Sequence, residues 1–181
     1  MRVKDMVLLS LLSALAFVSV VLIRIPVIPS AAFLKFELKD AIILIAGIIY
    51  GPLSAFEVAF MVSLLEMMTI SASGPIGFVM NLLSTSSFVC TASAVYKLRR
   101  TWKGLMAGLV LGCVMMTVSM LLWNYIITPY FMGVPREIVA SMLLTVFLPF
   151  NLIKGATNAL IVLMYVKPLL AAVKAVNFYD G

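Results

Sequence analysis

Long apolar runs separated by short polar joints set the pattern of this chain. A helix needs about 20 predominantly apolar residues to cross a bilayer, and the runs predict six crossings. The first covers residues 6–23, behind a basic N-terminus carrying Arg2 and Lys4. A basic flank and an apolar core also describe a signal peptide. The run is long, however, and no convincing small-residue cleavage site follows, so it reads as span one. Ser10 and Ala14 lie four apart on it, with Ser13 adjacent. Small residues at that spacing let another helix approach closely, either within the protein or from a partner.

Residues 24–40 form an unusual connection. Pro26 and Pro29 oppose a helix, and the imperfect alternation from Phe33 to Leu38 suits an extended segment. A long ordered loop beside a membrane bundle suggests a lid or binding loop. Span two, residues 41–50, ends at Gly51-Pro52. Ten helical residues reach only about 15 Å, so this span must be short, tilted or protected by neighbours. Span three, 53–70, holds Glu57 and Glu66, and a Ser/Gly/Pro turn follows. Span four, 76–96, carries Asn81. Span five, 104–127, carries Trp123, Asn124 and Tyr125 near its end. A second substantial loop is expected over 128–137. Span six, 138–166, is expected to bend near Pro149. The fold expected is a single all-α membrane domain over residues 1–181, with six transmembrane helices and a long external loop between helices 1 and 2.

Polar residues inside these runs carry the functional information. Asn151, Lys154 and Asn158 follow one another at spacings of three and four, so a helix places them on one face. A cation at mid-membrane costs roughly 2.5–3.5 kcal/mol, so this face requires a polar partner. That partner is either a ligand or a buried carboxylate that only holds helices together.

Composition and charge narrow the class. The chain has 181 residues, 64% hydrophobic and 11% charged, against roughly 45–50% and 25% in soluble domains. It is an integral membrane protein. A net charge of +6 and a pI near 9.5 would suggest nucleic acid for a soluble chain, but here the cations sit in loops. Eight Lys and Arg fall on the side of the termini, four of them in the 97–103 loop, and four on the other side. The positive-inside rule therefore places both termini in the cytoplasm, and the 24–40 and 128–137 loops outside.

Several chemistries are missing. There is no phosphate loop of the Gly-x-x-x-x-Gly-Lys-Ser/Thr type and no Gly-x-Ser-x-Gly elbow. The absence of His excludes His-based catalysis and metal ligation. Cys90 and Cys113 lie in apolar spans, as buried thiols do. Glu57 and Glu66 are nine apart and share no helix face, which disfavours a two-carboxylate catalytic pair. Each pairs locally, lies near an interface, or neutralises Lys154.

What remains is Asn124, Asn151 and Lys154, joined by Asn81 and Asn158, near the outer half of a bundle. Phe33, Phe78, Trp123, Tyr125, Tyr130 and Phe150 supply aromatics. Carboxamides both donate and accept, so they can read an imide or amide edge on a flat heterocycle; apolar walls bury the remainder. This profile fits uptake of a small, largely neutral, ring-containing nutrient. Trp123 and Tyr125 equally suit an interfacial aromatic belt.

Several pieces are familiar in combination: Phe33-Leu34-Lys35 and Asp40, Gly51-Pro52, Gly77-Phe78-Val79-Met80-Asn81, Asn124-Tyr125 with Pro129-Tyr130, and Phe150-Asn151-Leu152-Ile153-Lys154-Gly155. Over essentially its whole length the chain resembles the S components of energy-coupling-factor (ECF) vitamin transporters, of the riboflavin-binding type. The resemblance implies an external ligand cavity closed by the loop after helix one. It implies riboflavin as transported ligand rather than cofactor, and partnership with a membrane T component and two cytosolic ATPases. It places Asn124, Asn151 and Lys154 against the isoalloxazine ring, and Ser10 and Ala14 against the T component, although Ser-x-x-x-Ala stands here for the family's Ala-x-x-x-Ala. Asn81, Phe33, Phe78 and Tyr125 complete the expected site. The resemblance implies a multi-pass protein of a prokaryotic cell membrane, with no enzymatic activity, metal or nucleic acid. Rival readings are an S component for another vitamin, a proton-coupled transporter using Glu57, Glu66 and Lys154, and a membrane scaffold.

Overall fold

A computed structural model describes residues 3–28, 31 and 33–179, with side chains described through Pro168. Among the described residues, five stretches are long and apolar enough to cross a membrane: Val3–Leu22 (α1), Pro52–Thr69 (α3), Gly74–Arg99 (α4), Trp102–Met132 (α5) and Arg136–Pro168. The last comprises α6 (Arg136–Met142), a π-helical segment (Leu143–Phe147) and the start of α7 (Leu148–Tyr179). The expected disturbance near Pro149 takes this form. Proline lacks an N–H and its ring crowds the preceding turn, and a wider turn just upstream relieves that crowding.

The remaining helix, α2 (Lys39–Tyr50), has twelve residues and is about 18 Å long. Neighbours shield it. Ile43, Leu44 and Ala46 are fully buried within a core shared with Ala16, Ala55, Val62, Phe88 and Ala92. Its C-terminal Gly51 has φ +105°, and Lys97 at the end of α4 stands against it.

Residues 24–40 fold into a small hairpin. β1 (Arg24–Pro26) pairs antiparallel with β2 (Lys35–Glu37), placing Arg24 opposite Glu37. The extended reading of 33–38 holds for β2, but the helix begins at Lys39, two residues early. Of this connection, Pro29, Ser30 and Ala32 lie outside the described residues.

α5 also differs from expectation. It continues through Pro129 to Met132, so most of the loop expected over 128–137 is helix. Its contact with α4 relies on two glycines. A Cβ on Gly108 would stand 2.6 Å from the Ala92 carbonyl oxygen, and one on Gly112 would stand 2.8 Å from that of Phe88. Only glycine allows backbones this close, the same device that small residues serve in membrane helix pairs.

Candidate functional site

A cleft opens where the hairpin meets α4, α5 and α7, enclosing about 820 Å³ of atom-free space, open mouth included. Three helical stripes form its wall. α4 gives Gly77, Met80, Asn81 and Ser84; α5 gives Met120, Asn124, Ile127, Thr128 and Phe131; α7 gives Phe150, Asn151 and Lys154. Each stripe follows the three-and-four spacing of a helix face. The hairpin adds Arg24, Phe33, Lys35 and Glu37. Phe33 meets Phe131 edge-on at 5.7 Å and leans on Phe147 at 6.3 Å.

Of the residues singled out in the sequence, Asn81, Asn124, Asn151, Lys154 and Phe33 converge on this cleft. Phe78 and Tyr125 stand outside it. Each follows a cleft residue by one position, which turns its side chain by about 100° around the helix. Phe78 packs edge-on against Phe60 at 5.7 Å, and Tyr125 lies half-exposed beneath the Arg136 guanidinium. Asn158 also leaves the cleft for a structural task. Its Oδ1 accepts from the Ala41 amide at 3.1 Å, and its Nδ2 donates to the Lys154 carbonyl at 3.0 Å. The first turn of a helix leaves amides unpaired, and here a side chain 117 residues away satisfies one of them.

A network of six charged groups adjoins the cleft, of which Arg24, Glu37 and Lys154 line it while Lys39, Asp40 and Glu66 are buried behind them. Arg24 Nε donates to Glu37 Oε1 at 3.1 Å, while Arg24 Nη1 donates to the Ile70 carbonyl at 2.8 Å. Lys39, fully buried, bridges Glu37 Oε2 at 2.9 Å and Glu66 Oε1. Lys154 Nζ lies 3.3 Å from Asp40 Oδ2 and donates to Ser84 Oγ at 3.4 Å. Thr85 donates to the other Asp40 oxygen at 2.7 Å. Three cations thus face three carboxylates. Buried charges persist only when paired and hydrogen-bonded. The partner of Lys154 is Asp40 rather than Glu57 or Glu66, and Asp40 in the first turn of α2 also suits the helix dipole. For Glu37, burial pushes the carboxyl pKa up, but Lys39, Lys154 and Arg24 outweigh it and hold the group below the ordinary value.

The carboxamides are oriented, not idle. Asn151 Nδ2 donates to the Phe147 carbonyl at 2.7 Å, leaving its Oδ1 as an acceptor. Asn124 Nδ2 donates to the Met120 carbonyl at 2.7 Å, and its Oδ1 accepts from Thr128 at 2.8 Å. Asn81 Nδ2 donates to Glu66 Oε2 at 2.7 Å. The cleft therefore offers acceptors from Asn81 and Asn151 beside the Lys154 ammonium. Thr128, Ser84, Met80, Met120 and Phe131 were missed in the sequence. Helical spacing from Asn81 and Asn124 would have found Ser84, Thr128, Met120 and Phe131, and Met80 lies three positions beyond Gly77 on the same stripe.

Ser10 and Ala14 line a separate groove between α1 and α3, with Met6, Leu9, Glu57 and Met61. Glu57 is exposed there, whereas Glu66 is buried.

Comparison with known proteins identifies the family. Residues 4–166 match the family model for the substrate-specific component of ECF transporters. The chain is 31% identical to a protein of Bacillus subtilis named riboflavin transporter FmnP, over 86% of both chains. It is 30% identical to riboflavin transporter RibU of Staphylococcus aureus, over 90% of this chain and 88% of that one. It is 32% identical to RibU of Streptococcus thermophilus, over 81% of this chain and 74% of that one. A solved S component of a bacterial ECF transporter superimposes with a TM-score of 0.81 at 30% identity, covering 94% of this chain and 98% of that one. With a match across nearly its whole length, and relatives and a solved structure of the same kind, the chain belongs to the family of substrate-specific components of ECF transporters.

Proposed function

We propose that this subunit captures riboflavin from outside the cell and passes it inward, with the energy supplied by partner subunits. The carrying observation is the convergence of Asn81, Asn151 and Lys154 on one aromatic-walled cleft. A flavin ring edge alternates carbonyl oxygens with an imide N–H. The free Asn151 oxygen suits that N–H, the Lys154 ammonium suits a carbonyl, and Asn124 borders the same wall. Phe33 and Phe150 bury the ring faces. The names of the relatives point to the same ligand.

The topology of this reading has six crossings, with the hairpin outside and both termini in the cytoplasm. The short α2 fits because it begins two residues after the cleft-lining Glu37 and ends at Gly51, beside the basic end of α4. About 18 Å of helix plus the depth of the cleft then make one crossing of a hydrocarbon layer about 30 Å thick. Lys97, Arg99, Arg100 and Lys103 gather at that inner end, as the positive-inside rule requires. The chain carries no phosphate loop, so ATP hydrolysis belongs to two cytosolic ATPases reached through a T component. The α1–α3 groove, with Ser10 and Ala14, is the surface offered to that component.

Titration of the detergent-purified subunit with riboflavin, followed by flavin fluorescence, tests the reading. Saturable quenching that thiamine and biotin do not compete away supports it; absence of saturable quenching overturns it.

A further inference from the structure

We propose that Glu66, on α3 behind the cleft wall, is a positioning residue that sets which hydrogen-bonding group Asn81 presents to the ligand. The inference rests on the reading of the cleft as the riboflavin site. Glu66 is 1% exposed, and each of its oxygens has a partner: Oε1 accepts from Lys39, and Oε2 accepts from Asn81 Nδ2 at 2.7 Å. Lys39 has no exposed surface and is held between Glu37 and Glu66. The Lys39 ammonium against Oε1 favours the ionised carboxylate, and in that form Oε2 faces Asn81 as an acceptor.

An ionised carboxylate only accepts hydrogen bonds. Asn81 must therefore turn its NH₂ toward Glu66, whichever way its amide would otherwise settle. Its carbonyl oxygen becomes the acceptor left for the cleft, which Asn81 lines. The site then selects a ligand that donates at this point, such as a hydroxyl or a ring N–H, over one that presents only a carbonyl. Glu66 acts without touching the ligand, through the amide in front of it.

The test exchanges the two functional groups. In Glu66→Gln the neutral amide turns its oxygen toward Lys39 and its NH₂ toward Asn81. Asn81 then accepts at the back and presents NH₂ to the cleft. Riboflavin binding should weaken by about ten- to a hundred-fold, the scale of one reversed hydrogen bond. In the double variant Glu66→Gln/Asn81→Asp, the introduced aspartate only accepts. It takes the NH₂ of the introduced glutamine at the back and still offers an oxygen in front, with the net charge unchanged. Its affinity should return to within about threefold of the wild type. Asn81→Asp alone sets two carboxylates together and should bind poorly.

A purely structural role for Glu66 predicts no rescue. The proposal is overturned if Glu66→Gln binds within about threefold of the wild type, or if the folded double variant stays more than about threefold weak. Thermal unfolding accompanies each titration. If Glu66→Gln fails to fold, the double variant alone decides by the same thresholds. A wild type that does not bind riboflavin would instead overturn the ligand assignment.

Discussion

Lys154 on α7 and Asp40 at the start of α2 face one another across 3.3 Å, both almost wholly buried. The pair ties the last helix to the base of the hairpin. Removing one partner strands the other charge, at a cost of about 3–5 kcal/mol. Asp40→Asn should therefore lower the thermal midpoint sharply. Asp40→Asn/Lys154→Met removes both charges and should recover much of that loss. The double variant should still bind riboflavin about tenfold or more weakly, because the ligand loses a charged donor. Calorimetry and titration on the same preparations separate the two effects.

Acid should loosen the hairpin. Glu37 titrates below its ordinary value of 4.5 in the folded protein. A lowered carboxylate pKa means that the stability it contributes is present above 4.5 and is lost as pH falls through the folded value. Thermal midpoints measured from about pH 7 down to about pH 3 should fall in the acid range. Glu37→Gln should remove part of that fall and be less stable throughout, since it leaves Lys39 and Arg24 short of a counter-charge.

The α4–α5 contact admits no side chain at its centre. Gly108→Leu forces a side chain against the Ala92 carbonyl, and overpacking costs about 1–3 kcal/mol even where neighbours can yield. The variant should unfold at lower temperature and lose riboflavin affinity, because Asn124 and Asn81 sit on these same two helices. Gly133→Leu, at an open turn with φ +66°, separates backbone strain from crowding and should leave the helix contact intact.

The groove between α1 and α3 makes a prediction independent of the ligand. Ala14→Trp fills it and should leave riboflavin binding by the isolated subunit unchanged. Recovery of the complex with co-expressed T component and ATPases should drop about tenfold or more, equivalent to roughly 1.4 kcal/mol of lost packing. Undiminished recovery would place the docking surface elsewhere.

Much of this molecule was legible because helical periodicity and the expense of buried polarity are local signals. Lys154 and Asn151 betrayed themselves by lying in an apolar run, and Asn81 and Asn124 likewise. Partners from distant parts of the chain were not legible. Nothing near Asp40 identifies Lys154 as its counter-charge, and nothing near Leu38 shows that Asn158 completes the α2 start. Phe78 and Tyr125 were named as aromatics in the same motifs as Asn81 and Asn124, and rotation about the helix turns them out of the cleft. The continuation of α5 past Pro129 escaped for another reason. A proline in a final turn removes one backbone bond without ending the helix when the surrounding face remains apolar.

Side-by-side riboflavin titration of the wild type, Asn151→Ala, Phe78→Ala and Tyr125→Ala tests the central claim most directly. Asn151→Ala removes the acceptor inside the cleft and should weaken binding by one to two decades, or roughly 1–3 kcal/mol. Phe78→Ala and Tyr125→Ala, outside the cleft, should stay within about 0.5 kcal/mol of the wild type. Normal binding by a folded Asn151→Ala, with losses in the other two, would contradict the account.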